Sequence, residues 1–512
     1  MIDLSSSQQM VETKKITRKS LPLTNVSSAR WSLPLILVFQ ALLSWALLRN
    51  TAFQDEALYI YAGRQILQHW FFGERLFEDY SYYFSGYPYV YPIIGGGLDM
   101  VGGLELVRFF SLICLLTVTA CGYYVTNKLF DQKSAVFAAL FFVCQGPALY
   151  LGRLATYDPL CLCMLSLGTV VAVHASMSRR PWSALGVGPC LVLAFGAKYA
   201  ALLFMPSIIA ILVLSTLLRR GWVSMLVRGS LAMLSLVVVA VLGAIAIARF
   251  DPSMFHALGA TTTNRLVIGA SSPLWLAGHV LQMVGLSYLV GGLVLLFVSK
   301  RHLLIVLLFF GSAILVPAYH IYKAELISLD KHLTFSMFFL MPVAGYALAS
   351  LSGYRRASSS GRYWLAGVAV CLMLFLIGTR EALDMYSIWP STHNLAYAFN
   401  TQVRSGSGHY LAEQYEVSRY NLREDTYTWQ WTGLDFFEYT DKQGHYYFGK
   451  EAYVHAIDDG YFDMIQLNYG SNITTAQLIA KTLEESKEYD LVDKIPYHTY
   501  YGTGYFWVWR KH

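Results

Sequence analysis

Residues 33–59 read LPLILVFQALLSWALLRNTAFQDEALY, an apolar run that ends shortly before two carboxylates, Asp55 and Glu56. A helix crosses the hydrocarbon core of a bilayer when about 17–25 consecutive residues are mostly apolar, and residues 33–49 have that length. The stretch therefore predicts a membrane helix that is followed, at the membrane surface, by an acidic pair.

The composition of the whole chain agrees with this prediction. Of 512 residues, 55% are hydrophobic and 14% are charged, whereas soluble domains carry about 25% charged residues. This composition excludes a disordered chain, a collagen-like fibre and a small disulfide scaffold, and it argues against an ordinary soluble enzyme. The expected class is a polytopic α-helical membrane protein.

Apolar runs of similar length recur through most of the chain. The fifth run is short and ends at Lys198, so we interpret it as a tight pair with the sixth. The predicted membrane helices, about eleven in number, span residues 33–49, 106–126, 134–151, 158–176, 184–197, 200–218, 229–249, 273–298, 303–318, 333–350 and 363–379.

The charges divide the chain into two parts. Residues 1–379 contain 27 Lys or Arg and 14 Asp or Glu, whereas residues 380–512 contain 11 and 18, with no run long enough to span a bilayer. We therefore predict a cytoplasmic segment at residues 1–32, a transmembrane domain at 33–379 and a C-terminal domain at 380–512, which is long enough to have its own core.

The C-terminal part has the pattern of a small α/β domain. Alternating aromatic runs at Tyr446–Phe448 and Tyr505–Trp509 predict strands, and the apolar spacing of Thr474–Tyr489 predicts a helix. The many aromatic residues of this part either form its core or stack on glycans.

Basic residues set the predicted orientation. With the N-terminus inside, the inside segments contain 17 Lys or Arg and the outside loops contain 7, in agreement with the positive-inside rule. The N-terminus is then cytoplasmic, and eleven crossings place the C-terminal domain outside. The expected location is the cell membrane, as a multi-pass protein.

The acids of the transmembrane domain gather on the outer side of this topology. Eleven of the 14 lie at outer helix ends or in outer loops, and carboxylates near a bilayer tend to be functional because they are costly. The first outer loop, residues 50–92, is long and aromatic, and it is either an interfacial belt or a platform for sugars and polyprenyl chains. Within it, residues 56–69 predict a helix that lies in the interface.

Other charged residues fall on the same side. Asp158 begins an apolar helix, so it is either an N-cap or a functional carboxylate, and Arg153 precedes it in the same short loop. Lys198, between two apolar helices, either extends to the interface or holds an anionic phosphate. The loop before the tenth helix adds Lys331 and His332.

Cysteines and histidines give no sign of a metal site. All seven cysteines fall in predicted membrane helices, where we expect them to be small packing residues. The outer-face residues that are able to bind a metal show no ligand spacing, so we expect the histidines to be structural. These residues are Glu78, His256, His320 and His332.

In combination, these motifs resemble the polyprenyl-phosphate-sugar-dependent glycosyltransferases of the GT-C fold. The chain is most similar to family 39, which includes protein O-mannosyltransferases and the lipid A aminoarabinose transferase. The resemblance is carried by the Asp55-Glu56 pair, by SGYPYVYP at residues 85–92, by ATYD at residues 155–158, and by the basic residues Lys198, Lys331 and His332.

The resemblance implies an enzyme, a hexosyl- or pentosyltransferase. It would transfer a sugar from a polyprenyl phosphate to a hydroxyl of a glycan, lipid or protein on the extracytoplasmic face, with inversion and with no required cofactor, although a divalent metal stays open. Asp55 would be the general base, and Glu56 would orient it or the acceptor. The implied substrate-binding residues are Asp158, Lys198, Lys331, Arg153 and His332.

Two alternatives stay open from the sequence: a multi-pass transporter and a non-catalytic glycan-assembly protein of the same fold. Transporters often contain internal repeats and bind their substrates near the middle of the membrane. This chain shows no repeat between its halves and no acid in the middle of a predicted membrane helix. No nucleic-acid partner is expected, and the sequence does not specify the sugar, the polyprenyl length or the acceptor.

Overall fold

A computed structural model of the chain describes residues 26–262, 271–352, 362–403, 406–470 and 472–512, so most of the predicted segment 1–32 lies outside the described residues. The first fourteen helices are α1 (Val26–Leu47), α2 (Gln54–Phe72), α3 (Tyr91–Leu129), α4 (Gln132–Val143), α5 (Gly146–Leu151), α6 (Tyr157–Met177), α7 (Val187–Ala197), α8 (Met205–Arg220), α9 (Trp222–Phe250), α10 (Met254–Thr261), α11 (Pro273–Gly292), α12 (Lys300–Lys323), α13 (Leu329–Leu351) and α14 (Arg362–Tyr386).

The structure confirms a multi-pass helical membrane protein. In the part of the chain that the structure describes, eight helices are long and apolar enough to cross a bilayer, and three shorter apolar helices accompany them. Together they cover the predicted membrane segments. The third predicted segment is divided between α4 and α5, because Pro147 in the first turn of α5 lacks the N–H that a continuous helix requires.

Helix α13 lies at the centre of the bundle and α9 at its edge. In α13, 94% of the apolar stretch is buried, whereas the share in α9 is 11%. A helix that is buried all round packs on protein, and an apolar helix that is exposed all round faces lipid. The start of α13 is therefore enclosed by other helices, where polar side chains are shielded from hydrocarbon.

The loop at residues 50–92 contains α2, which includes the predicted helix 56–69 and is longer at both ends. Helix α2 packs closely against the start of α3. A Cβ on Gly63 would lie 1.7 Å from the carbonyl oxygen of Pro92, and a Cβ on Gly96 would lie 2.4 Å from the backbone of Gly63. The two backbones touch because both positions lack a side chain, and this contact fixes α2 on the membrane domain.

The C-terminal domain is α/β, as predicted, and α14 continues to Tyr386, past the predicted boundary at residue 380. The elements of this domain are β1 (Tyr410–Ala412), β2 (Trp431–Thr432), β3 (Glu438–Thr440), β4 (Tyr446–Phe448), β5 (Met464–Leu467), β6 (Tyr489–Thr499), β7 (Gly502–Lys511), α15 (His393–Asn400), α16 (Tyr415–Asn421), α17 (Lys450–Asp458) and α18 (Ile473–Glu485). The five-stranded mixed sheet has the order β2-β1-β5-β7-β6, and β3 and β4 form a separate hairpin. The predicted strands correspond to β4 and part of β7, and the predicted helix to α18.

The C-terminal domain docks on α2 and α3 through α16 and the residues that follow it. Asp99 of α3 is buried and accepts three hydrogen bonds there. The donors are Arg64 of α2 at 2.9 Å, the Tyr420 hydroxyl at 2.6 Å and Arg423 Nε at 3.1 Å. Because charge-assisted bonds in a buried place are strong, this junction ties the C-terminal domain to the helix that carries Asp55.

Candidate active site

A cavity of about 850 Å³ lies between the start of α2, the chain that follows α7 and the loop that leads into α13. Its apolar walls include Leu203, Phe204 and Val316. Four of the predicted site residues line its polar wall, although they come from distant parts of the chain. These are Asp55, Lys198, Lys331 and His332.

Asp55 is the member of the acidic pair that faces the cavity. It stands in the first turn of α2, where the positive end of the helix dipole favours an acid. One of its carboxylate oxygens pairs with Nζ of Lys331, in the first turn of α13, and the Asp55 side chain remains 29% exposed. Asp55 is therefore held in place and still has a surface that a ligand is able to reach.

Glu56 is fully buried and does not line the cavity. Its oxygens accept from Arg108, with Nε at 3.0 Å and Nη2 at 2.6 Å, and from the backbone N–H groups of Ala155 at 2.7 Å and Phe53 at 2.9 Å. The bond from Phe53 caps the start of α2. This geometry suits the orienting role for Asp55 rather than direct contact with a substrate.

Asp158 is fully buried beneath Lys198. The Lys198 Nζ pairs with one oxygen of Asp158, and the Thr156 hydroxyl donates to the other at 3.2 Å. The N-cap position of α6 belongs to Thr156, so the N-cap interpretation of Asp158 is wrong. Lys198 is itself buried, and it therefore does not extend to the lipid interface but presents its ammonium group beside the cavity.

His332 belongs to a chain of polar contacts at the cavity wall. His320 Nδ1 donates to the carbonyl oxygen of Glu325 at 2.7 Å, because a carbonyl is only an acceptor. A neutral His320 then accepts at Nε2 from His332 Nδ1, 2.8 Å away. His332 Nε2 lies 3.8 Å from Asp158 Oδ1. The contacts connect the loop before α13 with the buried pair of Asp158 and Lys198.

Two stacked tyrosines complete the polar wall. Tyr59 and Tyr157 have ring centroids 4.5 Å apart, and Lys198 Nζ lies 4.6 Å from the centre of the Tyr157 ring. Burial raises the pKa of Tyr59 well above its ordinary value, and the charge of Asp55 adds to the effect. The Tyr59 hydroxyl therefore stays neutral at the wall of the cavity that it lines.

Arg153 does not join the other predicted residues. It is buried, pairs with Glu105 and has its guanidinium carbon 3.9 Å from the centre of the Trp45 ring. None of these three side chains lines the cavity. The structure thus separates Arg153 from the cavity in which the resemblance had placed it, and cation–π stacking and ion pairing account for its position.

Three of the four residues named as metal candidates have other contacts. Glu78 accepts from Arg419 at 2.5 Å, and Arg419 lies 4.3 Å over the ring of Tyr61 at the junction with the C-terminal domain. His320 and His332 contact each other. Among the described residues, no three His, Cys, Asp or Glu side chains are grouped so that they would hold a metal ion.

Sequence reasoning missed Arg108 as the partner of Glu56. Arg108 is 2% exposed in α3, and besides Glu56 it donates to the carbonyl oxygens of Asn50 at 2.9 Å and Thr51 at 3.2 Å. A charge near the start of an apolar run requires a buried partner, and that signal was available in the sequence. These bonds hold the segment that leads into Asp55.

Comparisons with known proteins agree with this architecture. A family model described as dolichyl-phosphate-mannose-protein mannosyltransferase matches residues 88–244. Among solved structures, ArnT from Cupriavidus metallidurans in the apo state has a TM-score of 0.63 at 13% identity, and the match covers 94% of this chain and 98% of that chain. A search of curated proteins found no match.

Two further structures are similar. The archaeal oligosaccharyltransferase AglB from Archaeoglobus fulgidus, in complex with an inhibitory peptide and a dolichol-phosphate, has a TM-score of 0.54 at 12% identity over 93% of this chain and 74% of that chain. The arabinofuranosyltransferase AftD from Mycobacteria has a TM-score of 0.51 at 13% identity over 94% of this chain and 41% of that chain. The chain has the GT-C fold. The predicted resemblance, including its similarity to family 39, is confirmed.

Within this GT-C fold, the family match covers only part of the cavity. Residues 88–244 contain Asp158 and Lys198, whereas Asp55 and Lys331 lie outside the matched range. The folded chain brings Asp55, Lys198 and Lys331 to one cavity, and Asp158 lies buried beneath Lys198. The family match therefore does not include Asp55 and Lys331, and their positions at the cavity are what mark them as candidate site residues.

Proposed function

We propose that this chain is an integral-membrane glycosyltransferase that moves a sugar from a polyprenyl phosphate to an acceptor hydroxyl. The main support is the position of Asp55, a partly exposed carboxylate at the cavity, held by Lys331. The donor class is extended from relatives of the same fold, since ArnT was solved bound to undecaprenyl phosphate and AglB with a dolichol-phosphate.

In the proposed reaction, the acceptor oxygen attacks the anomeric carbon of the donor sugar from the side opposite the phosphate. The new carbon–oxygen bond forms as the bond between the anomeric carbon and the phosphate oxygen breaks, so the configuration inverts. Asp55 accepts the proton of the attacking hydroxyl, and the bonding electrons leave with the polyprenyl phosphate. Glu56 acts as a positioning residue because it fixes the start of α2.

The leaving phosphate requires positive charge. Lys198 and Lys331 line the cavity from different elements, and His332, which also lines it, lies 3.8 Å from the buried Asp158. The apolar side of the cavity, with Leu203 and Val316, suits the first part of a polyprenyl chain. Asp158 would hold Lys198 in place and would not itself contact the sugar.

We also propose that the reaction takes place on the extracytoplasmic face. The support is the distribution of Lys and Arg, 17 on the predicted inside and 7 on the predicted outside. Division of the chain into a catalytic domain at residues 33–379 and an extracytoplasmic domain at 380–512 is part of the same proposal. Cysteine labelling of intact cells at Tyr446→Cys would contradict this orientation if the residue reacted only after permeabilisation.

The test is transfer by the purified chain in nanodiscs, with radiolabelled polyprenyl-phosphate sugars as donors and envelopes of a deletion strain as acceptor. We expect transfer by the natural chain and a loss of about 100-fold or more in Asp55→Asn, because a general base contributes that much. The matched control is Glu74→Gln, which removes an exposed carboxylate of the same loop and should leave the rate unchanged.

Each negative outcome removes a different part of the proposal. Full activity in Asp55→Asn would contradict the role of Asp55 as general base but not the proposed glycosyltransferase activity. Absence of transfer from every polyprenyl-phosphate sugar would contradict the proposed enzymatic activity and would favour a transporter or an assembly protein. Circular dichroism and size-exclusion profiles of the variants should match those of the natural chain, since the Asp55 side chain is partly exposed.

A further inference from the structure

The hairpin of β6 and β7 ends in two exposed tyrosines. Tyr500 and Tyr501 form the two-residue turn, with 59% and 79% of their surfaces exposed and ring centroids 5.5 Å apart. Below the turn, His498 Nδ1 and Thr503 Oγ1 are 2.9 Å apart across the two strands. The hairpin therefore exposes two aromatic rings to solvent at a turn whose strands are joined by this side-chain contact.

The turn is attached to the wall of the cavity. The backbone N–H of Tyr500 donates to the carbonyl oxygen of Ser387 at 2.7 Å. Ser387 lies between Met385 and Ile388, and both of these line the cavity. Ile388 is 39% exposed, so this wall residue is accessible and directly follows the residue that is bonded to the hairpin.

The same segment also contacts the chain that leads into Asp55. The ring of Trp389 lies 4.9 Å from that of Phe53, and Trp389 Nε1 donates to the carbonyl oxygen of Thr51 at 3.1 Å. The hairpin turn, the cavity wall and the approach to Asp55 thus form one connected structure. A molecule that touches the turn would lie next to the segment that forms this wall of the cavity.

The composition of the turn favours one kind of partner. Residues 498–505 read HTYYGTGY, without an aliphatic, acidic, Lys or Arg side chain. Tyrosine is also common at membrane–water interfaces, but the amphipathic segments that lie there combine Trp, Phe or Leu with Lys and Arg, and the turn has none of these. Tyrosine, threonine and glycine instead provide flat apolar rings beside hydroxyl groups, which match the C–H face and the hydroxyl edge of a sugar ring.

We propose that Tyr500 and Tyr501 are an acceptor subsite that binds a saccharide whose hydroxyl is presented to Asp55. The inference rests on the proposed function, because that function is what makes the bound saccharide an acceptor. Binding at the turn itself requires no donor and no chemistry, so it is measurable separately from transfer.

Binding is tested with the fluorescently labelled full-length chain in nanodiscs on a printed array of oligosaccharides. We expect the natural chain to bind and the Tyr500→Ala/Tyr501→Ala variant to bind about tenfold more weakly, a usual cost for losing aromatic stacking. The matched control is Tyr446→Ala/Phe448→Ala, which removes two aromatic residues of β4 with similar exposure, 60% and 58%. Absence of binding by the natural chain, or equal loss in the control, would overturn the subsite.

A second measurement separates a saccharide from the bilayer as the partner. A fluorophore on Tyr501→Cys in nanodiscs should be insensitive to spin-labelled lipids, with the unsubstituted chain as the labelling blank. Quenching by those lipids would show a turn that lies in the headgroups, and the subsite would be withdrawn. If array binding depends on the tyrosines but transfer never occurs, the proposed function fails and the saccharide site remains.

Discussion

The two faces of helix α2 use charge in opposite ways. On the cavity face, Asp55 has an ion pair with Lys331 and a partly exposed carboxylate. On the packed face, Glu56 accepts four hydrogen bonds from Arg108 and two backbone groups, and Arg64 pairs with the buried Asp99 at 2.9 Å. Both faces contain charged side chains, but on the cavity face the Asp55 carboxylate still has an exposed surface that another partner is able to reach.

The difference separates chemical from architectural roles. A buried carboxylate whose oxygens are all engaged stabilises the fold, and removing it leaves its partner unpaired. A carboxylate that keeps an accessible oxygen is able to accept a proton from a ligand. Substitutions on the packed face should therefore reduce stability, whereas substitutions at the cavity should reduce binding or transfer.

The largest expected effect tests the packed face. Glu56→Gln should lower the free energy of unfolding by about 3–5 kcal/mol, because Arg108 is left as a buried charge without its carboxylate. Denaturation of the purified chain, followed by circular dichroism, measures this change. Asp55→Asn is the matched variant on the neighbouring residue, and it should cost less, because Asp55 is 29% exposed and has one ion pair, whereas Glu56 is fully buried and accepts four hydrogen bonds. Similar costs for the two variants would contradict the division between the faces.

A smaller effect tests the cavity. Lys198→Met should weaken binding of a polyprenyl phosphate by about 10- to 100-fold, since a charge-assisted contact to phosphate is lost. The single variant also leaves Asp158 buried without its lysine, so stability falls as well. Asp158→Asn/Lys198→Met removes both charges and should recover stability but not binding. Recovery of binding in the double variant would show that Lys198 has only a structural role.

The membrane helices were predictable because lipid imposes a local pattern. Every spanning segment must satisfy its backbone hydrogen bonds internally and be apolar along its length, so runs such as 200–218 and 229–249 indicate α8 and α9 directly. The break before Pro147 was not predicted, although proline is a local signal. In the C-terminal domain, alternation was sufficient to predict β4 and part of β7.

The site was predictable only in part, since its contacts are distant in sequence. Lys331 pairs with Asp55 across 276 positions, and Arg108 bonds Glu56 across 52 positions. Neighbouring residues on a helix differ in direction by about 100°, so the sequence indicated an acidic pair but not which member faces the cavity. For Arg153 the loop was predicted, but the direction of its side chain depends on Trp45 and Glu105.

At the start of α2, between its cavity face and its packed face, the helix contacts the C-terminal domain. Gln54, which lines the cavity, donates to Glu416 Oε1 of α16 at 3.1 Å. Glu416 Oε2 is enclosed and has no hydrogen-bond partner among the described residues. Burial raises the pKa of Glu416 above its ordinary value of 4.5. The folded chain therefore favours the protonated, neutral form of this carboxyl group more than the unfolded chain does.

The smallest predicted effect follows from that preference. Because the folded pKa is raised, the stabilising contribution of Glu416 is complete below about pH 4.5 and is lost as pH rises through the folded pKa. Glu416→Gln keeps a neutral group at all pH values, so its melting temperature should exceed that of the natural chain by about one to two degrees near pH 7 and by nothing near pH 4. The exposed Glu485→Gln is the matched control and should show no such difference. A Glu416→Gln variant that is less stable at neutral pH would instead indicate that Glu416 is charged in the folded chain. The contact between Gln54 and Glu416 would then stabilise the fold through charge, as the ion pairs of the packed face do.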